Sequence, residues 1–354
     1  DAQREQYVKE NPYNIIRLEL PKGGDERYAE AGETLQSWLN KQILACDGED
    51  SIYVYEMKFT ANGENNSLKG FVSLVKLVEF SEGIVLPHEE TLSKAKQDRF
   101  NLMSETYCNF SQIYSLYMDE DGSTYSLIDG CSQGAPDMEV KDPDGTIHRM
   151  WCVSDKDVIA KVTAAFADKK LYIADGHHRY ETALNFHKHL CAEGKATAGD
   201  QSGYIAMMLV NMENTGLVVF PTHRIVRDLH EFNADKIIED CKAYFDIAQA
   251  PGEERMQAAL NEAYKNGKKA FAMYAGAGKC YVMTLKDEGA VKKLLPDMSD
   301  AYCGLDVSVL HSLVLERIFG IDKENMANQK NLTYTRSRQE ALEAVDIDGA
   351  DCSF

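Results

Sequence analysis

Three short clusters in this chain hold side chains that could do chemistry. The run Asp175-Gly176-His177-His178-Arg179 puts a carboxylate, a flexible turn residue, two imidazoles and a guanidinium side by side. His88-Glu89 and Pro221-Thr222-His223-Arg224 are smaller versions of the same mixture. A histidine or glutamate can serve as general base when its surroundings bring its pKa near the working pH. Arginine offers a rigid fork of donors that fits carboxylate and phosphate oxygens. A base beside anion-binding donors suits proton transfer on an anionic ligand. A metal shared by His177 and His178 is disfavoured. Neighbours point about 100° apart on a helix and to opposite faces on a strand, so no metal ligand set is assigned.

Each cluster needs elements to aim it. Leu171 to Ala174 is a short apolar run, and Tyr180, Ala183, Leu184 and Cys191 then recur at helical spacing, which predicts strand, tight turn, helix. Gly176 supplies the turn and Asp175 the expected N-cap. Free N–H groups and the positive end of the helix dipole gather at such a junction and favour an anion. His88 follows a strand, Ile84 to Leu86, that Pro87 stops, and a helix carrying Arg99, Leu102, Met103 and Tyr107 leads to a strand from Gln112 to Tyr117. The third cluster is expected to close the strand LVVFPTHRIV, since ligand crevices form at strand ends.

The remaining pattern is mixed. IIRLEL near the start reads as a strand, and Ala31, Leu35, Trp38 and Leu39 mark an amphipathic helix. Alternating runs from Ser51 to Phe80 predict a hairpin or meander, and residues 118–150 a surface hairpin excursion. A helix over 153–166, capped by Ser154 or Asp155, feeds the central strand, and GYIAMMLVNMEN reads as another buried strand. Towards the end come helices near 233–245 and 252–266 and the strands KAFAMYA and KCYVMTL. Gly276-Ala277-Gly278 joins these as a hairpin turn and lacks the spacing of a phosphate loop. Asp306 is expected to cap a helix in which His311 is a packed core histidine, and TRSRQEALEAV another helix.

With a net charge of −19 the chain is a poor partner for nucleic acid. Any anion must be held by a local basic pocket, which suits a small molecule. Nine cysteines lie far apart without a C-x-x-C pair, so reduced thiols and a cytoplasmic protein are expected. No apolar run approaches about 20 residues, the length of a membrane-spanning helix, and no signal-peptide pattern opens the chain. It begins on Asp1 and stops at Phe354 as an apolar strand sets in, so it is expected to be part of a longer protein.

Asn11-Pro12-Tyr13-Asn14, Leu86-Pro87-His88-Glu89-x-Thr91 with Asp98-Arg99, Ala174-Asp175-Gly176-His177-His178-Arg179-Tyr180, and Pro221-Thr222-His223-Arg224 follow one another as in the DUF1015 family, which the chain resembles over essentially its whole length. Members of that family usually carry further segments before the first motif and a Lys-containing segment beyond the last residue here. The middle of the chain resembles the ParB/sulfiredoxin-like fold, closest to its free serine kinases. The resemblance implies an α+β fold of mixed sheets and helices, with a ParB-like core at 81–230 that carries an insertion at about 118–165. An N-terminal α/β segment (1–80) and a C-terminal α+β module (231–354) flank it.

It implies a nucleotide (ATP, ADP or CTP) with Mg²⁺ as cofactors and a serine-like substrate. Glu89 would take the hydroxyl proton, and Glu89, His88, Asp175 and His178 form the catalytic set. Gly176, His177, Arg179, Arg99, Thr222, His223 and Arg224 would bind the nucleotide. Glu90 departs from the pattern, standing where relatives often have Arg. The expectation is that Glu89, the Asp175 to Arg179 corner and His223-Arg224 face one cleft. The alternatives are a metal-dependent phosphatase or hydrolase using His88, Asp175, His178 and His223, and a non-enzymatic nucleotide or metabolite sensor. The oligomeric state is left open.

Overall fold

The computed structural model describes residues 2–61, 63–88 and 93–354, and the chain divides into two compact units, Asp1–Val218 and Val219–Phe354. The architecture is α+β with mixed and antiparallel sheets.

Among its described residues the first unit holds eight strands: β1 (Ile52–Ala61), β2 (Glu64–Lys76), β3 (Val85–Leu86), β4 (Ile113–Tyr117), β5 (Met138–Lys141), β6 (Ile147–Val153), β7 (Leu171–Asp175) and β8 (Tyr204–Asn211). They form one sheet in the order β3-β7-β4-β8-β2-β1-β6-β5. Parallel pairing joins β3 to β7 and β4 to β8, and the other neighbours are antiparallel. β1 and β2 thus share a sheet with β7 and β8, and the chain divides at Val218.

The long central strand β8 shows why this sheet needs cover on both sides. Ile205, Met207 and Leu209 enter the main core with Ile173, Tyr180 and Phe186, while Met208 and Val210 join Leu68 in another cluster. A strand buried on both faces reads as a continuous apolar run. Each large side chain so buried contributes roughly 1.5–3 kcal/mol.

Several expectations are corrected. IIRLEL is a helical turn, Ile16–Glu19, because the Asn14 side chain accepts from the Ile16 N–H at 3.0 Å and starts a turn. Its one buried residue, Leu18, is satisfied by packing on Leu35 and Trp38. The 118–150 excursion contains a helix, Ser123–Gly130, and its hairpin β5–β6 extends the sheet through β6 and β1. The helix Lys156–Ala165 is capped by Asp155, whose carboxylate accepts from Asp157 and Val158.

The second unit holds β9 (His223–Val226), β10 (Phe245–Gln249), β11 (Ala270–Tyr274), β12 (Cys280–Leu285), β13 (Leu332–Thr335) and β14 (Cys352–Ser353). These form an antiparallel sheet in the order β10-β12-β11-β14-β9-β13 around a core including Phe245, Met273, Met283 and Leu313. Gly276-Ala277-Gly278 does close the β11–β12 hairpin. Pro221-Thr222-His223-Arg224 opens a strand where the sequence reading has it closing one. Leu305, not Asp306, occupies the N-cap of the helix that follows, and the helix widens into a π-helix over Leu310–Glu316. All nine cysteines are free thiols. Among the described residues no helix is long and apolar enough to cross a membrane.

Candidate functional site

The edge of the first unit's sheet builds a corner from β3, β7 and the helix His177–Ala192. Parallel pairing of Val85 with Leu171 and Leu86 with Tyr172 fixes the two strands in register, so the chain leaving β3 at Pro87 meets the chain leaving β7 at Asp175. Gly176 is the N-cap of the helix with φ 98°, a conformation open chiefly to glycine. A Cβ there would also lie 3.0 Å from Arg179 Nη2 and from Ile113 Cδ1. Asp175 therefore does not cap the helix as expected. Its carboxylate turns to Arg179, which donates from Nη2 to Asp175 Oδ2 at 2.6 Å and from Nη1 to the Gln112 carbonyl at 2.6 Å.

The two histidine positions meet. The His88 backbone N–H donates to His177 Nε2 at 3.2 Å, and the two rings stand edge to face with centroids 4.5 Å apart. His177 is buried, so this bond gives its ring nitrogen a partner away from water. The exposed His88 side chain is anchored by Nδ1, 2.8 Å from the Ile173 carbonyl. Only a protonated Nδ1 can donate to a carbonyl, so in the neutral ring Nε2 is the basic nitrogen. His178 is half-buried, and its carbonyl accepts the Thr182 hydroxyl at 2.6 Å. Glu89, with Glu90 and Thr91, lies outside the described residues.

Arg99 and Arg179 line one narrow crevice with Glu19, Ser111 and Thr182. All three nitrogens of the Arg99 guanidinium are engaged: Nε and Nη2 with Asp98 Oδ2, and Nη1 with the Glu19 carbonyl. Asp98 also takes the Tyr28 hydroxyl and Arg27. Burial works against its charge, but these hydrogen bonds, the one from Arg99 foremost, hold its carboxyl below the usual range. Arg99 thus ties the helix Ser93–Thr106 to the turn Ile16–Glu19. The crevice measures about 20 Å³, room for a water molecule and not for a nucleoside.

Thr222, His223 and Arg224 are gathered by the second unit, where they line a cavity of about 330 Å³ with Met256, Phe271, Leu310 and Arg338 among its walls. Burial lowers the His223 pKa, and the charges of Arg338 and Arg224 add to this against the bond its ring donates to the Phe354 backbone carbonyl. Arg224 donates from Nη1 to the Thr222 carbonyl and stacks 5.9 Å from the Tyr334 ring centroid.

The sequence profile described as "Protein of unknown function (DUF1015)" matches residues 1–308. The chain belongs to the DUF1015 family. No curated protein and no solved structure matches it.

In this DUF1015 protein, sequence reasoning missed the acceptors that orient the site: the carbonyls of Ile173 and Gln112, which a sequence cannot distinguish from any others. It also missed Arg338 as a cavity residue, since Ser337 and Glu340 mark the start of a helix there but not what the helix faces. Among the described residues no three His, Cys, Asp or Glu side chains are grouped to hold a metal ion, so the metal-dependent hydrolase reading gains no ligand set from the geometry.

Proposed function

We propose that the corner of the first unit transfers a phosphoryl group from a nucleotide to the hydroxyl of a small metabolite, serine being the first compound to try. What supports this above all is His88, whose Nδ1–H bond to Ile173 makes Nε2 the proton acceptor beside the start of a helix. His88 or Glu89 takes the hydroxyl proton. The freed oxygen bonds to phosphorus as the bridging P–O bond to the leaving phosphate breaks. Backbone N–H groups of the helix's first turn and Arg179 receive the phosphoryl oxygens.

Arg179 must exchange Asp175 for phosphate. The Asp175 side chain is 76% exposed, and such a pair contributes about 0–1 kcal/mol, so the exchange is cheap. Asp175 is also the hard oxygen ligand that, with phosphate oxygens, suits Mg²⁺. When bound, that ion would neutralise phosphate charge. The nucleoside has no room in the crevice between Arg99 and Arg179 and lies outside it. The order strand, Pro-His-Glu, Arg-bearing helix, strand and Asp-Gly-His-His-Arg-Tyr resembles ParB/sulfiredoxin-like free serine kinases and supports the same reaction class.

The test incubates the whole chain with Mg²⁺, ATP, ADP or CTP, and a metabolite panel led by serine, with products read by phosphorus NMR. Turnover is expected, falling about 100-fold or more in whichever of His88→Gln and Glu89→Gln removes the base. No turnover with any nucleotide, together with unchanged nucleotide affinity in Arg179→Met, ends this reading. Tight nucleotide binding without product makes the corner a sensor instead.

A further inference from the structure

The second unit's cavity stands apart from this chemistry in what lines it. Its walls are mostly hydrocarbon, with Leu260, Phe271, Leu310 and Leu342 among them. A concave apolar site with a few convergent polar groups is the usual form of a small-molecule pocket, and about 330 Å³ lies at the lower end of the range.

The polar groups leave one positive charge unbalanced. Arg338 is held by Glu253 at 2.5 Å and donates to Gln257. Asp306, the acidic residue in the lining, is directed to Lys269 at 3.4 Å. Burial, with the charges of the neighbouring arginines, disfavours the charged form of His223. Arg224 has no carboxylate partner among the described residues, and its buried Nε has no hydrogen-bond acceptor. In a protein of net charge −19, a half-buried arginine without a carboxylate is out of keeping with its surroundings. Leaving a buried donor unmet is costly, more so when it is charged. Close by, the π-helix at Leu310–Glu316 inserts an extra residue per turn beside the cavity, a distortion found frequently at functional sites.

We propose that this cavity binds a small organic monoanion, its carboxylate on the Arg224 guanidinium and its apolar body against Leu260, Phe271, Leu310 and Leu342. One uncompensated positive charge matches one carboxylate, to which the guanidinium donates a charge-assisted hydrogen bond. A phosphate dianion would remain half-neutralised, and the apolar walls would have nothing to contact in a bare inorganic ion. The site is independent of whether the first unit transfers phosphate.

Calorimetric titration of the whole chain with hydrocinnamate, hydrocinnamyl alcohol, acetate and inorganic phosphate tests it. Hydrocinnamate is expected to bind, the isosteric alcohol about tenfold or more weakly, and acetate and phosphate not measurably. Arg224→Met is expected to cost about tenfold or more in hydrocinnamate affinity, and Leu342→Trp to block binding by filling the cavity. Equal binding of acid and alcohol, binding of acetate or phosphate as tight as hydrocinnamate, no binding of hydrocinnamate, or wild-type affinity in a folded Arg224→Met protein overturns the proposal. If Arg224→Met fails to fold, the acid and alcohol comparison on the unaltered protein still decides.

Discussion

His311 and His88 show how one side-chain type acquires opposite roles from its surroundings. His88 is exposed, tied at Nδ1 and basic at Nε2. His311 sits in the π-helical turn with a buried Nε2 that has no partner among the described residues, and burial, helped by the charge of Arg224, pushes its pKa down from 6.5 to about 4. The folded chain therefore binds fewer protons at this position than the unfolded chain does as pH falls below 6.5. The stability tied to His311 is complete above that pH and is lost on the way down to about 4. Replacing His311 by Leu should reduce the drop in unfolding temperature between about pH 7 and about pH 5. His223, also depressed, keeps part of the slope. An unaltered slope in His311→Leu would show that the imidazole is already hydrated in the folded chain.

At the scale of elements, the helix His177–Ala192 is held to the sheet by more than its apolar stripe. The fully buried Tyr180 hydroxyl donates to the Val78 carbonyl at 2.8 Å and accepts from the Val78 N–H at 3.0 Å. This clamps the helix's first turn to the segment between β2 and β3, so the polar corner at Gly176 inherits its position from a residue with no chemistry of its own. Tyr180→Phe keeps the ring and its stacking on Phe80 but strands both backbone groups of Val78. A loss of about 1–3 kcal/mol in urea unfolding is expected, with weaker protection of the first helical turn in hydrogen exchange. A loss near zero would mean that water replaces the hydroxyl and that packing alone places the helix.

For the whole molecule, the two units each carry their own sheet and core, and the chain passes from one to the other through residues 216–222, which lie outside helix and strand. Val219 and Phe220 are exposed there, Val219 to 87%. Such a segment is where proteases cut first. Because Pro221 shields the bond after Phe220 from chymotrypsin, brief elastase treatment is the test, expected to cleave after Val218 or Val219 and to give two protease-resistant pieces. Early cleavage within either unit, with this segment spared, would contradict the division.

The sequence by itself determined the α+β class, the family, the strand-to-helix turn at Gly176 and the free state of the thiols, because alternation, helical spacing, glycine placement and cysteine spacing are local properties of a chain. It misread IIRLEL, where one buried leucine settles in a helical turn against another helix, and it gave Asp175 a capping role that the carboxylate relinquishes to Arg179. Only the tertiary structure decided that His88 lies against His177 and that Arg99 is used up by Glu19 and Asp98. It also decided that Arg224, at an apolar cavity, has no carboxylate partner among the described residues. Pairing across long stretches of chain depends on which backbone carbonyls and carboxylates the folded elements bring within hydrogen-bond reach, and no local pattern records that.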